Sequence, residues 1–156
     1  MFKTILVAVD VDDPASAPAA IAAGEELAHC CGARLILCTV AGTGGAGFEE
    51  CWTTIAARGA VDQARVRLAA LADTVRGVPV TVEVAGGPVA SALVETARRT
   101  EADLILISAH APGLADLLFE SDDVRVARRA PCSVLVMRAD LPAPVAMAQA
   151  AAATAV

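Results

Sequence analysis

The sequence predicts an α/β fold in which five short strands alternate with four helices around a mostly parallel sheet. Two patterns carry this prediction. Short continuous apolar runs, typical of strands covered on both faces, recur along the chain, and longer segments with helical periodicity separate them. Strands that alternate with helices form parallel sheets with right-handed crossovers. A length of 156 residues suits one domain.

The first part of the chain predicts two strands separated by a helix. Ile5–Val9 is a continuous apolar run that indicates a buried strand, and Asp10–Pro14 follows it with turn formers. Residues 15–31 are alanine-rich and predict a helix, which Gly32 ends with a left-handed residue. Arg34–Val40 is the second apolar run and the second predicted strand.

The rest of the chain predicts three helices and three strands. Cys51–Arg76 has helical periodicity over a long stretch. Pro79–Ala85 alternates polar and apolar residues, which favours a less covered strand at an edge of the sheet. The remaining predicted elements are a helix over Val89–Thr100, a strand over Ala102–Ile107, a helix over Asp122–Arg129 and a strand over Ser133–Met137.

The chain is predicted to hold one domain over residues 1–138 and a tail over residues 139–156. The tail is rich in alanine, contains two prolines and has no clear period. We therefore expect it to be weakly ordered.

Composition restricts the partners and the compartment that we expect. A formal net charge of −6 argues against nonspecific nucleic-acid binding and against docking on an anionic membrane. No apolar stretch approaches the ~18–20 residues of a membrane span, and the first residues do not resemble a secretory signal. The five cysteines are an odd, scattered set, which indicates reduced thiols. These features predict a cytoplasmic protein.

Four sequence blocks occur in an order that resembles the universal stress protein family. They are Lys3–Asp10, Gly86–Pro88 before an amphipathic helix, Glu101–His110 and Arg128–Val136. The resemblance covers residues 2–138. It implies a Rossmann-like five-stranded parallel sheet of order 3-2-1-4-5 with helices on both faces. It also implies a homodimer formed through the last strand, whose residues are Ser133, Val134, Leu135, Val136 and Met137.

In members of that family that bind ATP, the loop after the fourth strand carries Gly-x-x-Gly, nine residues, and then Gly-Ser or Gly-Thr. Glycine lets backbone N–H groups approach phosphates closely. By this correspondence, Ser108, Ala111 and Glu120 stand at the three glycine positions, and Ser121 keeps its expected type. The spacer is one residue short, and Gly113 offers a partial substitute in a shifted alignment.

The residues around this loop argue against tight ATP binding. Glu120, Asp122 and Asp123 place carboxylates where phosphate charges would lie, and like charges about 4 Å apart repel by roughly 1–4 kcal/mol. One alternative is structural: Ser121 caps the last helix, and the two aspartates interact with its positive end. Another is that Mg²⁺ bridges an aspartate to phosphate.

The part of the site that would bind the nucleoside agrees better with the family pattern than the loop does. Asp10 and Val40 close the first two strands, and the resemblance implies that these positions contact adenine. Asp10 has an equally good interpretation as a turn former that caps the first helix. His110 either packs in the crevice or points to solvent. Weak binding of AMP is therefore less excluded than binding of ATP.

These observations predict a non-catalytic module that acts in stress response through an unknown protein partner, without a tightly bound cofactor. No arrangement of nucleophile, base and orienting group surrounds His110, and no metal-ligand spacing is present. The alternative function is a nucleotide-responsive switch that binds AMP, or ATP with Mg²⁺, at the carboxyl ends of strands 1 and 4.

Overall fold

The computed structural model of the chain describes residues 1–13, 16–41, 55–109 and 121–138. The described strands are β1 (Thr4–Ala8), β2 (Arg34–Ala41), β3 (Val80–Gly86), β4 (Leu104–Ala109) and β5 (Ser133–Arg138). The described helices are α1 (Ala17–Cys31), α2 (Ile55–Ala72), α3 (Val89–Arg99) and α4 (Asp122–Arg129). The predicted tail, residues 139–156, lies outside the described residues.

The strands form one sheet of order β3-β2-β1-β4-β5, and every neighbouring pair is parallel. The predicted fold class and strand order are therefore confirmed. None of the helices in the described ranges is long and apolar enough to cross a membrane.

Side chains that alternate along the central strands divide the core into two clusters. Ile5 and Val7 are fully buried on the face covered by α1 and α2. Leu6, Ile105 and Val126 are fully buried on the face covered by α3 and α4. The continuous apolar runs in the sequence are explained by this two-sided cover.

Helix α2 ends at Ala72, four residues earlier than its periodicity predicts. Helix α1 holds the chain beyond that end: the Arg76 N–H donates to Glu25 Oε1 at 3.0 Å, and His29 Nε2 lies 2.9 Å from the Arg76 carbonyl oxygen. Gly77 then adopts a φ of +72°, which favours glycine. A Cβ at Gly77 would lie 2.7 Å from the His29 ring, so the turn and α1 fit closely.

Strand β4 begins at Leu104 rather than at Ala102, because Asp103 serves another purpose. Its carboxylate accepts the backbone N–H groups of Lys3 and Thr4, at 2.7 and 3.0 Å. These hydrogen bonds lower the pKa of Asp103, since they stabilise its charged form. Asp103 therefore ties the start of β1 to the start of β4.

The two edges of the sheet differ in character. Strand β3 lies at one edge, as its alternating sequence predicted, and the Arg99 guanidinium pairs with the Glu83 carboxylate there at 3.0 Å. Strand β5 forms the other edge, where Leu135 and Val136 are 39% and 40% exposed. The segment expected to form the dimer, Ser133–Met137, lies on this apolar edge, and dimerisation itself stays a prediction.

Candidate functional site

The carboxyl ends of the five strands lie at one edge of the sheet because every pair is parallel. Helix α1, which follows β1, packs on one face, whereas α3 and α4 pack on the other. Ligands of open α/β sheets bind beyond the strand ends at the point where the strand order reverses. The crevice beyond β1 and β4 is therefore the candidate site.

Asp10 follows β1 and is exposed at this edge. Its Oδ1 accepts the Asp12 N–H at 2.9 Å, and its carbonyl oxygen accepts the Asp13 N–H at 3.3 Å. Asp10 is thus a turn former, which was the structural one of its two predicted roles; the other was contact with adenine. It does not cap α1, because that helix begins at Ala17 with Ser16 as its N-cap residue. Contact between Asp10 and adenine stays a prediction.

Val40 and Ser108 are the penultimate residues of β2 and β4, so the sheet brings both to the edge where Asp10 lies. Each is half-buried. The Val40 side chain packs against the core cluster on the side of α3 and α4. Ser108 lies opposite Met137 of β5 in the register of the sheet.

Ser121 is the N-cap residue of α4, and its extended backbone has φ −64° and ψ 155°. Its carbonyl oxygen accepts the Arg125 N–H at 3.1 Å. The Ser121 hydroxyl makes no capping hydrogen bond, so the expected side-chain cap is wrong. Asp122 and Asp123 occupy the first turn of α4, as the structural alternative required. Their charges favour the positive end of the helix.

Four of the predicted site residues lie outside the described residues: His110, Ala111, Gly113 and Glu120. Their roles stay predictions. The described part of the site consists of the turn after β1, the ends of β2 and β4, and the start of α4.

A salt bridge that the sequence does not reveal joins this edge to α2. Arg67 NH1 lies 2.7 Å from Asp12 Oδ1. The two residues are 55 positions apart in the chain, and neither belongs to a motif. The Asp12 side chain is largely exposed and that of Arg67 about half exposed, so the pair contributes little to stability. It does neutralise one of the acidic groups around the crevice.

The start of α4 carries two acidic side chains, Asp122 and Asp123, in its first turn. Asp122 lies near Arg125, whose NH1 is 3.9 Å from Asp122 Oδ1. That separation is at the limit of an ion pair, and both groups are about half exposed. The two carboxylates of the first turn place negative charge at the end of the helix where the helix dipole favours it.

Shifted pKa values among the described residues arise away from this crevice. Burial raises the pKa of Cys38 to about 11, and burial also raises the pKa of Cys132. The hydrogen bond and charge of Glu83 raise the pKa of Arg99. Each shift has a structural cause. Within the ranges that the structure describes, no three His, Cys, Asp or Glu side chains form a metal-binding group.

Comparisons with known proteins agree with this architecture. The family model of the universal stress protein family matches residues 1–138. A universal stress protein of Thermus aquaticus is 37% identical over 147 residues, which cover 88% of this chain and 100% of that protein.

Two solved structures illustrate the likeness of fold. A universal stress protein in complex with cAMP is 22% identical with a TM-score of 0.64, covering 87% of this chain and 97% of the other. The universal stress protein of Archaeoglobus fulgidus in complex with dAMP is 18% identical with a TM-score of 0.55, covering 86% and 96%. On its sequence and its fold, the chain belongs to the universal stress protein family.

Proposed function

We propose that the chain is a non-catalytic, cytoplasmic stress-response module that acts as a homodimer through contacts with other proteins and does not bind ATP tightly. The proposal that ATP does not bind tightly rests on one observation: Asp122 and Asp123 lie in the first turn of α4. A triphosphate placed there would meet two carboxylates. Each such pair costs roughly 1–4 kcal/mol of repulsion at about 4 Å.

The end of β4 supports the same proposal. Ser108 stands where nucleotide-binding members carry the first glycine of the loop. Ser108 is half-buried, and unlike glycine it carries a side chain that would restrict how closely a phosphate can approach the backbone there. Steric obstruction would then add to the charge repulsion at the start of α4.

A gain of binding tests this proposal. We expect the combined substitution Ser108→Gly, Ala111→Gly and Glu120→Gly to strengthen ATP binding at least about tenfold, which corresponds to one repulsive pair of ~1.4 kcal/mol. Asp122→Asn with Asp123→Asn is the matched variant, since it removes charge and keeps the backbone. Calorimetric titration measures both. Unchanged ATP affinity in both variants would show that neither glycine loss nor acidic charge controls the site.

The described thiols support a reducing compartment. Cys30, Cys31, Cys38 and Cys132 are free, as is usual for cytoplasmic proteins. Cys38 is fully buried, and its raised pKa keeps it protonated at neutral pH.

The apolar edge strand supports the homodimer. Leu135 and Val136 are exposed on β5, whose outer backbone groups have no strand partner in the described part of the chain. Leu135→Asp should dissociate the dimer, because two carboxylates would meet within the interface. Val66→Asp is the matched control, since Val66 is 69% exposed on α2. Sedimentation velocity should give a monomer for the first variant only. A dimer in both variants would move the interface elsewhere.

A second function, a switch that responds to a nucleoside monophosphate, has specific support. The two structural neighbours were solved with cAMP and dAMP, which carry one phosphate. A single phosphate meets less repulsion from Asp122 and Asp123 than three phosphates do. Asp10 keeps one carboxylate oxygen, Oδ2, outside its own turn, and that oxygen can accept a hydrogen bond from a ligand. AMP binding that is lost in Asp10→Ala would support this alternative.

A further inference from the structure

Strand β3 has an outer side whose hydrogen-bonding groups follow from its register with β2. The Leu35 N–H donates to the Pro79 carbonyl oxygen at 2.8 Å, so the backbone of Pro79 faces β2. The backbone groups of successive residues point to alternate sides of a strand. The N–H and carbonyl groups that face outwards are therefore those of the even-numbered residues Val80, Val82, Val84 and Gly86. No described strand pairs with this side.

The β3 edge has little protection against pairing with a further strand. Natural edge strands are often protected by proline, lysine, a bulge or a charge that points inwards. The seven residues Val80–Gly86 contain neither proline nor lysine, and they pair with β2 residue by residue. Their one charged residue, Glu83, forms a salt bridge with Arg99. The edge can therefore accept another strand.

Valine side chains line this edge on the face of α1 and α2. Val80, Val82 and Val84 pack against the core cluster of that face, and each is only partly buried. Residues directly opposite in neighbouring strands share a face of the sheet. A strand added at β3 would therefore bury these valines further if it placed apolar residues opposite them.

The charges on the other face of the edge favour a cation. The Arg99 guanidinium donates to both carboxylate oxygens of Glu83, at 3.0 and 3.4 Å. Glu95, one turn before Arg99 on α3, adds to the effect of Glu83 in raising the pKa of Arg99. Two carboxylates thus lie beside one guanidinium, and the whole chain carries a net charge of −6. A basic side chain opposite Glu83 would be attracted to both carboxylates.

We propose that the β3 edge binds an extended segment of a partner protein that places a lysine or arginine opposite Glu83 and apolar β-branched residues opposite Val82 and Val84. Binding of this kind rests on the protein contacts proposed above and specifies the class of partner segment. An apolar–basic–apolar pattern is the same in both chain directions, so it suits parallel and antiparallel addition. Backbone hydrogen bonds provide the affinity in such strand addition, and alternate side chains provide the selectivity.

A second copy of the chain fits this edge less well than such a segment. Strand β3 contains no lysine or arginine, so no register of two β3 strands places a cation opposite Glu83. An antiparallel pair with its two-fold axis at Glu83 would place two carboxylates directly opposite each other. Like charges in that position destabilise a strand pair.

Titration with a short peptide tests the proposal. The probe is the blocked peptide Ser-Thr-Val-Lys-Val-Thr-Ser, and its matched control has glutamate in place of lysine. We expect the lysine peptide to slow hydrogen exchange of the Val82 and Val84 amides, measured by NMR, and to bind at least about threefold more tightly than the control. Glu83→Lys should reverse this preference, and the milder Glu83→Gln should abolish it.

A proline substitution tests the outward backbone groups. Val82→Pro removes one outward N–H and keeps the hydrogen bonds with β2, so we expect a folded chain that binds the lysine peptide at least about tenfold more weakly. Val134→Pro on the opposite edge strand is the matched control and should leave peptide binding unchanged. Thermal melts verify that both variants are folded.

Four other results have separate meanings. Equal binding of both peptides, or protection at β5 instead of β3, would overturn the proposal. Protection of Val82 and Val84 without peptide, rising with protein concentration, would assign the edge to a second copy and also overturn it. Absence of peptide binding, with pull-downs in which Val82→Pro captures the same proteins as the parent chain, would overturn this inference and leave the proposed function standing. A parent chain that captures no protein would count against the proposed function, while the peptide titration decides the β3 edge separately.

Discussion

The close approach of α1 to the sheet depends on Gly24. A Cβ at this position would lie 2.6 Å from Val7 Cγ2 and 3.3 Å from Leu35 Cδ1, and both neighbours are fully buried. Gly24→Ala gains about 1 kcal/mol of helix propensity, but overpacking costs about 1–3 kcal/mol. We therefore expect a net loss of roughly 1 kcal/mol in the free energy of unfolding, measured with urea.

Gly59 provides the control for that substitution. It also lies in a helix, α2, but no atom of the described residues outside the adjoining part of that helix lies within 4 Å of its added Cβ. Gly59→Ala should stabilise the protein by up to about 1 kcal/mol. Stabilisation by both substitutions would show that α1 lies further from the sheet than the distances at Gly24 indicate.

Individual cysteines should also differ in their reactivity towards thiol reagents. With a pKa of about 11, Cys38 holds only about one thiolate in a thousand at pH 8, and its side chain is fully buried. Cys30 is exposed. We expect a thiol reagent to label Cys30 rapidly in the folded protein and Cys38 only after unfolding, as mass spectrometry of labelled peptides would report. Rapid labelling of Cys38 would mean that β2 opens readily.

At the scale of elements, proline substitutions at neighbouring positions of β5 should have different effects. The Ser133 N–H donates to the Asp103 carbonyl oxygen of the segment before β4, and backbone groups alternate along a strand, so the Val134 N–H faces the free edge. If the proposed homodimer pairs through β5, Val134→Pro removes a hydrogen bond between the subunits and gives a folded monomer. The Leu135 N–H faces β4, so Leu135→Pro should break the sheet and lower the melting temperature. Size-exclusion chromatography and thermal melts separate these results. A dimer that survives Val134→Pro would argue against pairing through β5.

The ends of helices and strands were predicted well where the periodic pattern of apolar residues continued up to the end of the element. The last helix, Asp122–Arg129, has the predicted bounds, and the strands differ by one or two residues. The end of α2 was missed because Glu25 and His29, about 50 residues away, hold the backbone of Arg76. Contacts between distant segments leave no local pattern in a sequence.

At the scale of the whole molecule, the strand order came from the family resemblance rather than from periodicity. Apolar runs predict strands, but they do not say which strands are neighbours. Likewise, Asp10 and Val40 could be placed at one edge because parallel strands share that edge. The Asp12–Arg67 salt bridge could not be predicted, since it depends on how the turn after β1 approaches α2.

The charge at the carboxyl edge is also a property of the whole molecule. The turn after β1 and the start of α4 are far apart in the chain, and the parallel order of the sheet places both at the carboxyl ends of the strands. A highly charged anion at that edge would meet acidic side chains from both segments. The exclusion of ATP that we propose therefore rests on these charges as well as on the residues that stand at the glycine positions of the loop.

The most direct test of this account is calorimetric titration of the unmodified protein with ATP, with and without Mg²⁺. We predict no binding heat and no thermal shift at millimolar ATP, because we propose that the Asp122 and Asp123 carboxylates and the Ser108 side chain oppose the binding of its phosphates. ATP binding at micromolar concentration would contradict the account and would make the protein a nucleotide-binding member of its family.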